Sequence, residues 1–190
     1  MKKPIFFLTF IACLMAVAVV GNCRRAAQVD ERFQGIAAAR VSGKSPTSWE
    51  VYFAPGKEPE EAIVREIKLA QHTILIHAFG FTSEPIGDAL IEALRRDVAV
   101  KAILDRSDRD AANCQAGRIR HAGAEVWFDA KHPIAHAKVL CIDGKTVIQG
   151  SYNYTAQAIH NSECLTVFRD KEMAKEFAAN WERHKIHAEK

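Results

Sequence analysis

The sequence lacks internal repeats, low-complexity stretches and any strong excess of one charge. Its 190 residues carry 26 Lys and Arg against 23 Asp and Glu, and the resulting charge of +3 excludes a strongly basic, histone-like binder. It has no Cys-x-x-Cys pair and no Cys/His zinc pattern, and five cysteines in this length do not indicate a disulfide mini-protein. With 48% hydrophobic residues, the composition is that of a globular chain with one domain of about 150 residues.

The N-terminal segment has no acidic residue and resembles an export signal. Residues 1–27 hold two basic pairs, Lys2-Lys3 and Arg24-Arg25, around an apolar run at residues 5–20. This run is slightly short for a membrane span and is typical of a secretory signal peptide. Cleavage after Ala16-Val17-Ala18, a lipoprotein-like box ending at Cys23, and a retained anchor all stay open. We therefore expect an exported protein, periplasmic or secreted, with a membrane anchor as the alternative.

Beyond a tether at residues 28–47, strands and helices alternate as far as residue 130, which predicts βαβ units. We expect strands at 49–53, 73–79, 98–104 and 125–128, with helices from Glu58, over 84–96 and over 108–122. Thereafter Asp143-Gly144-Lys145 indicates a hairpin turn, followed by a strand at 162–168 and a helix at 172–187. The predicted fold class is α/β, with a mixed, largely parallel sheet flanked by helices on both faces, in one domain at residues 48–187.

One short stretch concentrates groups suited to a phosphate. In chain order it contains His136, Lys138, Asp143, Gly150, Ser151 and Asn153. His136 and Lys138 are two residues apart at the start of a predicted strand, so alternation places both side chains on one face. Ser151 and Asn153 are also two apart, after Gly150, which permits close backbone approach. A cation, a hydroxyl and an amide around one imidazole can bind phosphate oxygens and attack phosphorus.

This pattern, H-x-K-x4-D-x6-G-S-x-N, resembles the motif of the phospholipase D superfamily at every fixed position. The resemblance extends over residues 48–186, and the single motif in an exported chain is most similar to the Nuc-type bacterial endonucleases. It implies a two-step, metal-independent mechanism with no cofactor, in which His136 forms a covalent phosphohistidine. It also implies that Lys138, Ser151 and Asn153 hold the phosphoryl oxygens. Glu163 is implied to accept a hydrogen bond from His136 Nδ1, and Asp143 completes the catalytic set, although its place near the hairpin suggests a structural role.

The mechanism needs two histidines, and this chain has one motif. We therefore expect a homodimer with one active site shared across the interface. Nucleic acid is the expected substrate, and phospholipid at a membrane surface is the alternative, especially if the N-terminal segment is retained. A non-catalytic nucleic-acid-binding protein is a third hypothesis.

Several residues outside the motif have two interpretations. His77 is interpreted as a satisfied core histidine rather than a ligand, and His132 as a loop histidine rather than a substrate contact. Tyr152 and Tyr154 could stack on bases, but packing is favoured. Basic residues could line a nucleic-acid groove, although neighbouring aspartates favour a mixed-charge surface; these are Arg106, Arg109, Arg118, Arg120 and Lys131. The cysteines Cys114, Cys141 and Cys164 are interpreted as small buried side chains.

The net charge itself comes from the export segment. Residues 28–190 carry 22 Lys and Arg against 23 Asp and Glu, so attraction for phosphate must be local to Lys138 and nearby arginines. We expect weak long-range steering of nucleic acid.

Overall fold

An eight-stranded sheet organises the chain. The computed structural model describes residues 48–190, so the predicted export segment and tether lie outside the described residues. The strands, in chain order, are β1 Ser48–Ala54, β2 Thr73–Ala78, β3 Ala99–Asp105, β4 Glu125–Asp129, β5 Lys138–Ile142, β6 Thr146–Gly150, β7 Glu163–Arg169 and β8 Ala188–Glu189. Their order across the sheet is β1-β7-β6-β5-β2-β3-β4-β8, which places β5 and β2 side by side at its centre.

The sheet is mixed, as predicted, but it is mainly antiparallel rather than largely parallel. Only β2–β3 and β3–β4 pair in parallel, while the other five pairings in the described chain are antiparallel. The parallel pairs come from the βαβ units up to residue 130. After β4 the chain forms the β5–β6 hairpin and adds β7 beside it, and these connections can only give antiparallel neighbours. β8, which the sequence did not predict, pairs with β4 and forms the edge of the sheet beside it.

Helices cover both faces of the sheet, as predicted. They are α1 Glu58–Leu69, α2 Glu84–Arg95, α3 Ala116–His121 and α4 Lys171–Lys185. The first three contribute to the larger core, where Ile63, Leu90 and Ile119 are fully buried with Ile74 of β2. Helix α4 packs on the opposite face through Trp181, which contacts Ile103 and Trp127. Within residues 48–190, no helix has both the length and the apolar character needed to cross a membrane.

The helix predicted over residues 108–122 is much shorter in the structure. A 3₁₀ turn occupies Arg106–Asp108, and α3 begins only at Ala116. The Asp108 carboxylate accepts hydrogen bonds from Gly80 N and Phe81 N at 3.0 and 3.2 Å, and Gln115 N donates to Phe81 O at 2.8 Å. These contacts tie the segment to the loop after β2. Local propensity had favoured a helix, and tertiary hydrogen bonds override it.

Candidate active site

The chemistry-bearing residues of the motif, apart from Asp143, meet at one end of the strands of the sheet. Lys138 begins β5, Gly150 ends β6, and Glu163 begins β7. Since β5, β6 and β7 are successive antiparallel neighbours, the start of β5, the end of β6 and the start of β7 lie side by side at the same end of the sheet. Ala78, at the end of β2, pairs with Lys138 and brings a fourth strand end to the same place.

His136 and Lys138 lie against the same aromatic ring. The His136 ring is 4.9 Å from the centre of the Phe79 ring, and Lys138 Nζ is 5.2 Å from it. Lys138 Nζ also donates a hydrogen bond to the His136 carbonyl at 2.8 Å. His136 is exposed, whereas Lys138 is only 5% exposed. The sequence had assigned Phe79 to a strand without a role. An aromatic residue just past a buried strand is a weak signal, because its partners are known only once β2 and β5 pair.

Burial lowers the pKa of the Lys138 ammonium, and the negative charge of Glu163 opposes this shift. The side chain is therefore a partly desolvated cation with a carboxylate in its electrostatic range. A cation in such a setting attracts an anionic ligand more strongly than one in open solvent. This is the environment that a phosphate-binding lysine requires.

The backbone on both sides of His136 is fixed by neighbouring strand ends. Ala135 N donates to Asp105 Oδ2 at 2.7 Å, and Ala137 O accepts from Phe79 N at 3.0 Å. Burial tends to raise the pKa of Asp105, but hydrogen bonds from Ser107 and Ala135 outweigh it and lower that pKa. The imidazole is thus presented to solvent on a loop that is held at residues 135 and 137.

Gly150 allows the turn after β6 to lie directly on β7. A Cβ at position 150 would lie 2.2 Å from the carbonyl oxygen of Cys164 and 3.0 Å from Leu165 Cα. The next two amides, Ser151 N and Tyr152 N, both donate to that same carbonyl, at 3.0 and 3.3 Å. The close approach predicted for Gly150 is therefore confirmed, and it fixes where the Ser151 side chain begins.

Glu163 has different partners from the one expected. Its Oε2 accepts from Ser151 Oγ at 2.5 Å, and its Oε1 accepts from Asn161 Nδ2 at 3.2 Å. Within residues 48–190 no hydrogen bond joins it to the His136 ring, so the expected contact with His136 Nδ1 is not formed. The cause is the β6–β7 pairing, which holds Ser151 against the start of β7 and brings its hydroxyl to the Glu163 carboxylate.

Asn153 presents an unsatisfied amide. Its Oδ1 is buried and has no hydrogen-bond partner among the described residues. Buried polar atoms in folded proteins are nearly always paired with protein, water or ligand. Since Oδ1 can only accept, a contact with a phosphoryl oxygen would come from the Nδ2 donor of the same amide.

Asp143 lies at the opposite end of the strands. Strand β5 runs away from the site for five residues, about 17 Å at strand spacing, before Asp143 enters the hairpin turn. There its Oδ1 accepts from His72 N and Thr73 N at 2.8 and 3.0 Å, and its Oδ2 accepts from Gln71 N at 3.0 Å. Burial tends to raise the pKa of Asp143, but these three hydrogen bonds outweigh it and lower that pKa. The carboxylate joins the hairpin to the start of β2.

Asp143→Ala is expected to cost about 2 kcal/mol of unfolding free energy, because three amides lose their acceptor. Activity per folded molecule should stay within about twofold. Urea denaturation and initial rates measure the two effects, with Asp143→Asn as the conservative comparison. A folded Asp143→Asn protein with a tenfold lower rate would contradict the structural assignment. Because the pKa is lowered in the folded state, the stabilisation is present above the ordinary pKa of 3.8 and is lost as the pH falls below it.

The other residues with two interpretations are placed as follows. Tyr152 and Tyr154 are both fully buried, so packing is confirmed and base stacking is excluded. His132 is partly buried and its Nδ1 lies 2.7 Å from Asp129 Oδ2. His77 is buried as predicted, but its Nε2 has no partner in the described chain, so it is not a satisfied core histidine.

The partners of three of the candidate groove arginines are visible in the structure. Arg109 pairs with Glu189 at 3.3 Å, and Arg118 pairs with Asp88 at 2.6 Å. Arg120 donates to a backbone carbonyl. The mixed-charge interpretation is confirmed for Arg109 and Arg118. All three described cysteines are free thiols; Cys141 is buried as expected, but Cys164 is exposed.

Comparison with known proteins places this site in a family. A family model described as cardiolipin synthase, PLD-like domain, matches residues 63–185. A phospholipase D from Rickettsia bellii (strain RML369-C) is 37% identical over 142 residues, which are 74% of this chain and 71% of that protein. A mitochondrial cardiolipin hydrolase from Xenopus laevis is 35% identical over 120 residues, which are 60% of this chain and 57% of that protein.

The fold is also that of a solved member. The crystal structure of a phospholipase D family member, Nuc, from Salmonella typhimurium matches with a TM-score of 0.69 and 28% sequence identity, covering 74% of this chain and 95% of that one. The family model spans well over half of the chain. The motif residues other than Asp143 lie together at one end of the strands. The chain therefore belongs to the phospholipase D superfamily and is a phosphodiesterase of that superfamily.

Proposed function

We propose that this protein is a metal-independent endonuclease that hydrolyses DNA or RNA through a covalent phosphohistidine. The observation that carries the proposal is the pairing of an exposed His136 with the buried Lys138 cation on one aromatic ring. A nucleophile open to solvent can reach a phosphodiester in a long polymer. The adjacent cation, the Ser151 hydroxyl and the Asn153 amide supply contacts for the phosphoryl oxygens.

In the first step, a ring nitrogen of His136 attacks phosphorus, and a nitrogen–phosphorus bond replaces the bond to the leaving oxygen. A second histidine donates its proton to that oxygen, so the first product leaves as an alcohol. Lys138 stabilises the extra negative charge on the phosphoryl oxygens in the transition state. In the second step, the same second histidine removes a proton from water, which attacks phosphorus and releases His136 with a phosphomonoester.

We propose that the second histidine comes from another copy of the chain. Once His136 is bonded to phosphorus, its imidazole cannot also protonate the leaving oxygen, and the chain has one copy of the motif. A two-fold symmetric dimer would bring His136 of a second copy to the far side of the phosphate. We therefore propose a homodimer with one shared active site.

Nucleic acid is favoured over lipid as the substrate. The match to Nuc covers 95% of that chain, whereas the match to the cardiolipin hydrolase covers 57% of that protein. The names of the curated relatives nevertheless support phospholipid as the second candidate, and a retained N-terminal segment would bring the site to a membrane. We propose an exported location, periplasmic or secreted, from the apolar segment at residues 5–20.

The purified full chain is expected to cut both plasmid and single-stranded DNA in excess EDTA. The reason is that the proposed chemistry uses imidazole and ammonium groups only. Agarose gels follow DNA, and release of phosphatidic acid from phosphatidylcholine and cardiolipin vesicles follows lipid cleavage, with His136→Ala as the blank. Intact DNA together with lipid turnover would replace the nuclease by a phospholipase. Intact DNA and intact lipid would overturn both.

A further inference from the structure

Three metal-ligating side chains from distant parts of the sequence meet on the α4 face of the sheet. His77 lies near the end of β2, Asp129 ends β4, and His184 lies in the last turn of α4. One ligand atom from each of them lies within 4.8 Å of the other two. The His77 and His184 ring centres are 4.7 Å apart, and His184 Nδ1 is 3.7 Å from Asp129 Oδ2.

Both imidazoles carry buried nitrogens without a hydrogen-bond partner. Among the residues that the structure describes, His77 Nε2 and His184 Nδ1 are buried and unpaired. His77 is only 7% exposed, so its unpaired Nε2 cannot be satisfied by bulk water. An unpaired buried polar atom is costly, and two of them facing one carboxylate indicate a missing bonding partner.

The carboxylate between them is fully buried and held in place. Asp129 is 0% exposed, and its Oδ1 accepts from Lys131 N and His132 N at 3.0 and 3.1 Å. These amides orient the group so that Oδ2 faces the histidines, with His132 Nδ1 at 2.7 Å. The carboxylate is therefore fully buried and faces the two histidines.

We propose that His77, Asp129 and His184 bind one divalent transition-metal ion of the zinc class. Neutral imidazoles and a carboxylate are ligands that Zn²⁺ prefers, and three protein ligands leave a fourth position for water. Bonds of about 2.0–2.1 Å in a tetrahedral site put the ligand atoms about 3.4 Å apart. The present spread of up to 4.8 Å requires the ligand atoms to approach by up to about 1.4 Å on binding.

The ion would join α4 to the ends of β2 and β4. Both strands end on the side of the sheet that holds the active site, since Phe79 follows β2 and His136 lies in the loop after β4. The site takes no part in the hydrolysis steps above, and the proposal is independent of which phosphodiester is cut. Its effect is on the stability of this face of the domain.

The test uses the purified full chain, stripped with a chelator and dialysed, and titrated with ZnCl₂ by calorimetry. We expect one Zn²⁺ per chain, a higher melting temperature with the ion, and visible absorption bands of a tetrahedral site when Co²⁺ is used instead. His184→Gln and His77→Gln should each lower the Zn²⁺ affinity by at least about tenfold. Circular dichroism checks that each variant is folded. If the variant of the more deeply buried His77 does not fold, His184→Gln alone provides the test.

Two matched variants separate this site from other histidines. His121→Gln changes an exposed histidine at the end of α3, and His136→Ala removes the proposed nucleophile. Both should bind Zn²⁺ as tightly as the unchanged chain. The proposal is overturned if stripped protein shows no saturable binding, or if folded His184→Gln binds Zn²⁺ as the unchanged chain does. Loss of binding in His136→Ala alone would assign the ion to the active site and also overturn it.

Discussion

His136→Ala is expected to lower the rate of phosphodiester hydrolysis at least a thousandfold, because the chain loses the group that bonds to phosphorus. Losses of about 10³ to 10⁶ are typical when a covalent nucleophile is removed. The ring is exposed, and the backbone around it is held by residues 135 and 137, so the fold should be unchanged. Initial rates on a fluorescent oligonucleotide, with melting temperature as the fold check, measure both.

The matched control is His121→Ala, which removes an exposed imidazole from the end of α3 and should leave the rate unchanged. A His136→Ala protein that keeps more than about 1% of the activity would place the nucleophile elsewhere.

The same variant tests the shared site. A dimer with one altered subunit still lacks one of the two histidines, so it should be inactive. After subunit exchange at equal amounts, activity per unchanged subunit should fall to about half, and to about one tenth with a ninefold excess of His136→Ala. Independent active monomers would show no fall at either ratio.

Gly150→Ala is expected to lower the unfolding free energy by about 3 kcal/mol, at the upper end of overpacking costs. The new Cβ would overlap the Cys164 carbonyl oxygen at 2.2 Å, and both that atom and Leu165 Cα belong to backbone that cannot rotate away. The β6–β7 pairing would have to shift, which would displace Ser151 and lower activity as well. Urea denaturation measures the first effect and initial rates the second.

Gly117→Ala provides the comparison, since a Cβ at that helical position has no neighbour within 4 Å. It should leave stability unchanged or raise it slightly, by up to about 1 kcal/mol. Equal urea midpoints for Gly150→Ala and the unchanged chain would show that the turn can move aside at no cost.

Much of the fold could be predicted because its elements have strong local signals. Strand β5 follows the predicted strand pattern, and α2 begins at Glu84 as predicted. The Ser83 hydroxyl caps that helix by accepting from Ile86 N at 3.3 Å. The prediction of a largely parallel sheet was wrong, because the direction of pairing after residue 130 depends on which strands become neighbours. The helix over 108–122 was wrong because Asp108 bonds to the loop after β2.

The site was predictable in its composition and less so in its contacts. His136 and Lys138 lie against one ring, as their two-residue spacing predicted, although His136 precedes β5 instead of belonging to it. The partners of Glu163, the position of Phe79 and the cluster of His77, Asp129 and His184 all depend on contacts between elements distant in sequence. The ligands of that cluster are about 50 residues apart from one to the next, so no spacing rule could have indicated them.

The position of Asp143 also explains the spacing of the motif. The four residues between Lys138 and Asp143 are the remainder of β5, so this interval measures how far one strand must run to cross the sheet. An inserted or deleted residue would turn the alternate side chains of β5 to the wrong faces and separate the hairpin from the start of β2. The interval in the motif is therefore a length requirement of the sheet rather than a requirement of the reaction. A protein that lost the chemistry of His136 could keep the same interval for as long as it kept this fold.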